Sequence, residues 1–183
     1  MNLFKTLKAM LQVVPKSDVR YYLNGVQVKR IDDTVEFNAT DGHILLHVKT
    51  TDLSHINVPE FCDFIMCRKS LNVMLKSFND KSVFTLDCTD DNTVTLGGLP
   101  IETVDGRYPD VKRVMTQSSE RCDEIGVNYT LLSKISKACA TVTSASGKYP
   151  APLLQVRGAS DSIRLEQSYD DYSFVGLLMP CRL

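Results

Sequence analysis

Phe37-Asn38-Ala39-Thr40-Asp41-Gly42-His43-Ile44-Leu45-Leu46 is the stretch whose reading decides the fold of this chain. Apolar and polar residues alternate up to Thr40, an Asp-Gly pair follows, and a second apolar run opens at Ile44. The pattern predicts a strand, a tight turn and a second strand, because Gly42 supplies the backbone freedom that such a turn demands. Thr40 and His43 flank the turn with polar groups. Two other stretches stand with it: Asp105-Gly106-Arg107-Tyr108-Pro109-Asp110 in mid-chain, and Leu178-Met179-Pro180-Cys181-Arg182-Leu183 at the end.

Outward from this hairpin, residues 3–14 read as a helix, with Leu3, Leu7, Met10, Leu11 and Val14 on one face and Lys5, Lys8 and Gln12 off it. Pro15 stops it. Gly25–Val28, Val35–Asn38 and Ile44–Val48 follow as strands, with turns at Asp32-Asp33 and Asp41-Gly42. The order then recurs. Phe64–Met66 is a strand, and Leu71, Met74, Leu75 and Phe78 form a helical stripe. Val83–Cys88, Thr93–Leu96 and Ile101–Val104 are strands, with Asp90-Asp91-Asn92 as a turn. A third pass begins with a strand over Glu124–Val127 and an N-cap at Asn128. Leu131, Leu132, Ile135, Ala138 and Cys139 make its helical stripe, Ser144–Lys148 its loop, and Leu153–Val156, Ile163–Glu166 and Phe174–Leu178 its strands.

The chain is therefore an α+β protein of three β-α-β-β-β units spaced roughly 60 residues apart, with antiparallel sheets and helices on one face. A single unit cannot cover both its helix stripe and its sheet face, so units must pair. The odd count sends one unit to another chain for its cover, or to an unusual place beside a full pair. The polar run Thr116–Glu120 places the boundary: residues 1–115 form a domain of two units, 116–123 a linker and 124–183 the third unit.

Composition narrows the function. The 183 residues are 43% hydrophobic, which suits one or two compact domains and argues against disorder. The net charge of −1 gives no bulk positive field, although a basic face balanced by an acidic one stays compatible with nucleic acid. The six cysteines (62, 67, 88, 122, 139 and 181) form no CxxC pair and read as reduced thiols of a cytosolic protein. Met1–Lys5 carries no apolar signal core, and no run approaches a membrane span. His43 and His47 lie too far apart along a strand to share a metal. No nucleophile elbow, glycine-rich phosphate loop or paired-carboxylate motif is present, so neither catalysis nor a cofactor is expected.

The three marked stretches, in this order, resemble the bacterial DNA polymerase III beta subunit, the sliding clamp. Asp18–Gly25, Ala39–His43, Arg68-Lys69 and Asp105–Asp110 are similar to its middle domain. Glu124-Ile125-Gly126 through to Leu183 resembles the second half of its last domain. The family's first domain and the first half of its last domain have no counterpart here, and the family's basic residue after the histidine is Ile44. The resemblance implies a DNA polymerase processivity factor, not an enzyme. A full family ring contains twelve such units, so four of these chains would make one.

It also implies two sites. A peptide groove that takes short motifs from polymerases and the clamp loader corresponds to Leu23, Thr40, Gly42, His43, Leu45, Asn128, Leu131, Leu177, Met179, Pro180, Cys181, Arg182 and Leu183. Leucines and a methionine suit an adaptable apolar floor, and the turn can fix a peptide strand. The groove residues that the family draws from the absent unit are missing. Family positions near the duplex correspond to Tyr21, Tyr22, Arg68 and Lys69. Lys5, Lys8, Lys76, Lys134 and Lys137 add cations off the apolar stripes of helices that would line the hole, meeting phosphates without reading bases. The alternative is a shortened relative that makes no ring and binds clamp-seeking peptides as an adaptor or competitor. A structural domain with neither activity is the plainest reading.

Overall fold

The computed structural model describes residues 1–89, 93–116, 125–143, 152–158 and 160–181. Helix α1 spans Leu3–Val13. Asn2 caps it, its Oδ1 accepting the Lys5 N–H at 2.9 Å, and Pro15 stands just past its end. Strands β1 (Gly25–Ile31), β2 (Thr34–Thr40) and β3 (Ile44–Thr50) then form a meander. The second unit supplies β4 (Ile56–Asn57), β5 (Asp63–Cys67), α2 (Arg68–Met74), β6 (Leu86–Cys88), β7 (Val94–Leu96) and β8 (Leu99–Pro100). A short α3 (Val111–Met115) closes it. The third unit supplies α4 (Tyr129–Thr143), β9 (Leu153–Gln155), β10 (Ile163–Ser168) and β11 (Tyr172–Leu178).

The described residues form two sheets. Among them the larger has seven strands in the order β5-β1-β2-β3-β11-β10-β9, all antiparallel; the smaller has the order β4-β6-β7-β8, with β4 and β6 parallel. β3 sits at the centre of the larger sheet, and its side chains serve both faces. Ile44, Leu46 and Val48 join α1 and α4 in the main core, which extends to Leu71, Leu86 and Leu96 of the second unit. Leu45 faces the other way, into a smaller cluster with Leu23, Ile65, Tyr108, Val111, Val175 and Leu177. That second cluster puts α3 on the face opposite α1 and α4.

The odd unit finds its cover within the chain. β11 pairs with β3 from Tyr172↔Thr50 to Leu178↔Ile44, and α4 lies against α1. Ile135, Ala138, Cys139 and Val142 are buried in the same core as Leu7 and Met10. Of the two places left open for the odd unit, the one beside the pair in its own chain is taken, and the cover from a neighbouring chain is not needed for this apolar side. Strand order is a long-range property, and the run of helix and strand types along the sequence holds no record of which edges meet.

Other differences are local. Val83–Thr85 lies outside β6, and in place of a strand over Ile101–Val104 the segment hydrogen-bonds the edge of β5. Its Thr103 bridges Met66, Cys67 N–H donates to Glu102 O at 2.8 Å, and Val104 N–H donates to Ile65 O at 2.8 Å. Of the strand expected over Glu124–Val127, the described part is a bridge between Gly126 and Cys181. The Asp90–Asn92 turn, the Ser144–Lys148 loop, and Gln117–Glu120 of the boundary run lie outside the described residues. β4 and α3 are too short to leave a periodic signal.

Candidate functional site

The Thr40–His43 turn is fixed by its own side chains. Asp41 Oδ1 accepts the N–H groups of His43 and Ile44, each at 3.0 Å. Thr40 Oγ1 donates to Ile44 O at 2.7 Å and accepts the Gly42 N–H at 3.0 Å. Gly42 has φ +90°, and a Cβ there would stand 2.8 Å from Arg20 Nη1. The positive φ strains any side chain at that position, and a Cβ there would also displace the flexible end of Arg20. Arg20 is itself held by Asp18, Nη2 to Oδ2 at 2.7 Å, and donates to Asp41 O at 3.1 Å.

Two distant segments converge on this turn. From the last strand, Met179 N–H donates to His43 O and Cys181 N–H donates to Gly126 O, each at 2.9 Å. From α4, Lys134 Nζ donates to Asp41 Oδ2 at 2.5 Å and to Val13 O at 3.3 Å. Asn128 caps α4, its Oδ1 accepting the N–H groups of Thr130 and Leu131. Burial pushes the Asp41 carboxyl up. The Lys134 hydrogen bond, the Ile44 and His43 amides and the Lys134 charge together outweigh it, so the group sits below its ordinary value.

The expected peptide residues divide by depth. Leu23, Leu45 and Leu177 are 1%, 4% and 2% exposed and lie beneath Tyr108 and Val111. Tyr108 Oη accepts the Thr40 N–H at 3.0 Å, which ties that lid to the turn, and burial raises its phenol above the ordinary value. Gly42, His43, Asn128, Met179 and Cys181 are exposed, while Thr40, Leu131 and Pro180 are half-buried. Arg182 and Leu183 lie outside the described residues. Met179, 42% exposed, is the apolar group this surface offers to solvent beside the turn, and Val114 on α3 is 49% exposed. Asp41, Arg20, Tyr108 and Val111 are the residues that the sequence reading did not place in the site. Asp41, Arg20 and Tyr108 lie in the stretches that carry the family resemblance, but that resemblance did not mark them as groove residues.

The expected DNA-facing cations divide by occupation. Lys8, Lys69, Lys76 and Lys137 are exposed, and Lys5 is half-buried. Arg68 is half-buried at the end of α1, where its Nη1 donates to Leu11 O at 2.7 Å and Val14 O at 3.0 Å. Burial lowers its pKa from the ordinary value. Arg68, Lys134 and Lys137 line one open cleft of about 650 Å³ between α1 and α4, together with Thr130 and Ser133. Tyr21 and Tyr22 are elsewhere: their rings meet edge to face at 5.7 Å beside Gly106, and Tyr22 packs on the second cluster. Among the described residues no three His, Cys, Asp or Glu side chains gather as a metal site, and no helix is long and apolar enough to cross a membrane.

Residues 2–110 match the family of the DNA polymerase III beta subunit, central domain. No curated protein matches the sequence. Several solved clamp structures share the fold at low identity. A Helicobacter pylori beta clamp in complex with 3,4-difluorobenzamide is 15% identical with a TM-score of 0.73, over 99% of this chain and 64% of that one. The Helicobacter pylori beta clamp bound to a DNA ligase peptide is 14% identical with a TM-score of 0.74, over 99% and 63%. A DNA polymerase sliding clamp from Pseudomonas aeruginosa with ligand is 16% identical with a TM-score of 0.64, over 100% and 64%. The chain thus spans a little under two thirds of the length of the clamps it matches.

Proposed function

The chain belongs to the DNA polymerase III beta-subunit family, and from that premise we propose that it is a processivity factor. It tethers a polymerase through a short peptide motif and, as an oligomeric ring, encircles duplex DNA. It holds its partners without transforming them. One observation carries the tether. The Thr40–His43 turn, the start of α4 and the closing segment from Met179 to Cys181 are bound to one another. Segments far apart in sequence thus form one surface with an exposed methionine and backbone groups that suit an extended peptide. The same surface would serve a clamp loader. Contacts to DNA would come from Lys8, Lys69, Lys76, Lys137 and their neighbours, through phosphates and without sequence preference. A cytoplasmic place follows from the same role.

A second reading has its own support. The third unit's apolar side is already covered by α1 and β3, which suits a protein that captures clamp-seeking peptides as an adaptor or competitor without closing a ring.

The tether is tested by titrating a labelled DNA ligase peptide of the kind bound by the Helicobacter pylori clamp. Met179→Glu should lower the affinity at least about tenfold, since a charge then meets the apolar part of the peptide. The exposed position leaves the melting temperature unchanged. Equal affinity for both proteins would place the peptide elsewhere.

A further inference from the structure

We propose that Lys134 is a positioning residue for peptide capture: by joining α4 to Asp41 it fixes the Thr40–His43 turn against the start of that helix. This role rests on the tether proposed above and names the side chain that holds it in shape.

The peptide surface draws on different units. Asn128 and Leu131 stand at the start of α4, and the turn stands opposite with Met179 bonded beside it. The bonds within the turn set its own shape. Asp41 Oδ1 accepts the His43 and Ile44 amides, and Thr40 Oγ1 donates to Ile44 O. None of these bonds reaches α4, whereas Lys134 does. It stands three positions after Leu131 and so shares a helix face with it. Its Nζ donates to Asp41 Oδ2 at 2.5 Å and to the carbonyl oxygen of Val13, the last residue of α1, at 3.3 Å. One ammonium thereby joins the third unit's helix, the first unit's turn and the end of α1.

Lys134 acts through Asp41. Its own side chain lines the cleft between α1 and α4, beside Leu11 and Gln12. The two members of the pair differ in what they stand on. α4 is anchored, because Ile135, Ala138 and Cys139 are buried in the main core. The turn carries its exposed residues Gly42 and His43 at its tip. The ion pair therefore ties an exposed turn to a rigid helix. The side chain of Asp41 is only 12% exposed, so without the ammonium its carboxylate is sheltered from water and lacks its counter-ion. That arrangement is costly, and the turn relieves it by moving toward solvent. A turn already held in place spares an arriving peptide the cost of ordering it.

The test measures affinity for the labelled ligase peptide in the unmodified full chain, in Lys134→Met, in Lys134→Arg and in the double variant Lys134→Met with Asp41→Asn, at a temperature where circular dichroism shows each folded. Lys134→Met should weaken binding at least about fivefold. Lys134→Arg keeps the charge and the reach and should bind within about twofold of the unmodified protein. The double variant removes both charges and keeps an oxygen for the His43 and Ile44 amides, so no stranded carboxylate unfolds it. It should still bind about fivefold more weakly, because the link to α4 is gone. Amide hydrogen exchange supplies a readout that a general loss of stability does not reproduce. In Lys134→Met the His43 and Ile44 amides should exchange faster, while those of Phe37 and Val48 in the middle of the sheet keep their rates. Unchanged peptide affinity in folded Lys134→Met or in the double variant overturns the positioning role, as does a loss that Lys134→Arg leaves in place. An unmodified protein that takes no peptide at all overturns the tether itself, which is a distinct result.

Discussion

Asp41 is the residue on which the candidate site turns. One carboxylate oxygen shapes the backbone at His43 and Ile44, and the other receives Lys134. Its folded pKa lies below the ordinary 3.8. The stabilisation it gives is therefore complete above that pH and fades as pH falls through the lower, folded value. In a pH titration followed by NMR, the Asp41 side-chain carboxyl carbon resonance should stay constant from neutral pH to about 4 and move below it. Movement centred well above pH 4 would mean that Asp41 is not held by these donors. The turn itself was legible in the sequence, because Thr40, Asp41 and Gly42 act on neighbours. The Lys134 contact was not, because its partners are separated by 93 positions. Lys134 was expected to face DNA as a cation off the apolar stripe, and that stripe says nothing about a carboxylate brought up by another element.

At the scale of elements, the decisive contact is α4 on β11. A Cβ at Gly176 would meet Cys139 Sγ at 2.7 Å and Ile135 Cγ1 at 3.1 Å, so the helix approaches the strand closely there. Gly176→Val should lower stability by about 1–3 kcal/mol through overpacking, read as a lower urea midpoint. An unchanged midpoint would mean that α4 does not sit on this strand. Burial pushes the Cys139 thiol up to about 12, as expected of a cysteine that acts as a small apolar group in this contact. The α1 and α4 stripes and the long strands β1 to β3, β10 and β11 could be read from periodicity. The pairing of β3 with β11 could not, nor could α3, whose five residues complete barely more than one helical turn. That is why Leu23, Leu45 and Leu177 could be expected together but not beneath Tyr108 and Val111.

At the scale of the molecule, three units arrange themselves with one sheet end covered and one end open among the described residues. β5 is hydrogen-bonded along its outer side by the 102–104 segment. β9 is the last strand at the other end, and its Leu153 and Leu154 are 59% and 58% exposed. Among the described residues no strand lies outside β9, and an apolar terminal strand of this kind favours pairing with another chain. Leu154→Lys should reduce any assembly to smaller species while leaving the fold intact, as judged by circular dichroism and scattering together. The same mass being retained would exclude β9 from the contact. The encircling role itself is tested most directly by light-scattering mass in solution. Twelve units at three per chain predict a stable species of about four times 20.5 kDa. A protein that stays a monomer or a dimer across the concentration range would contradict the ring.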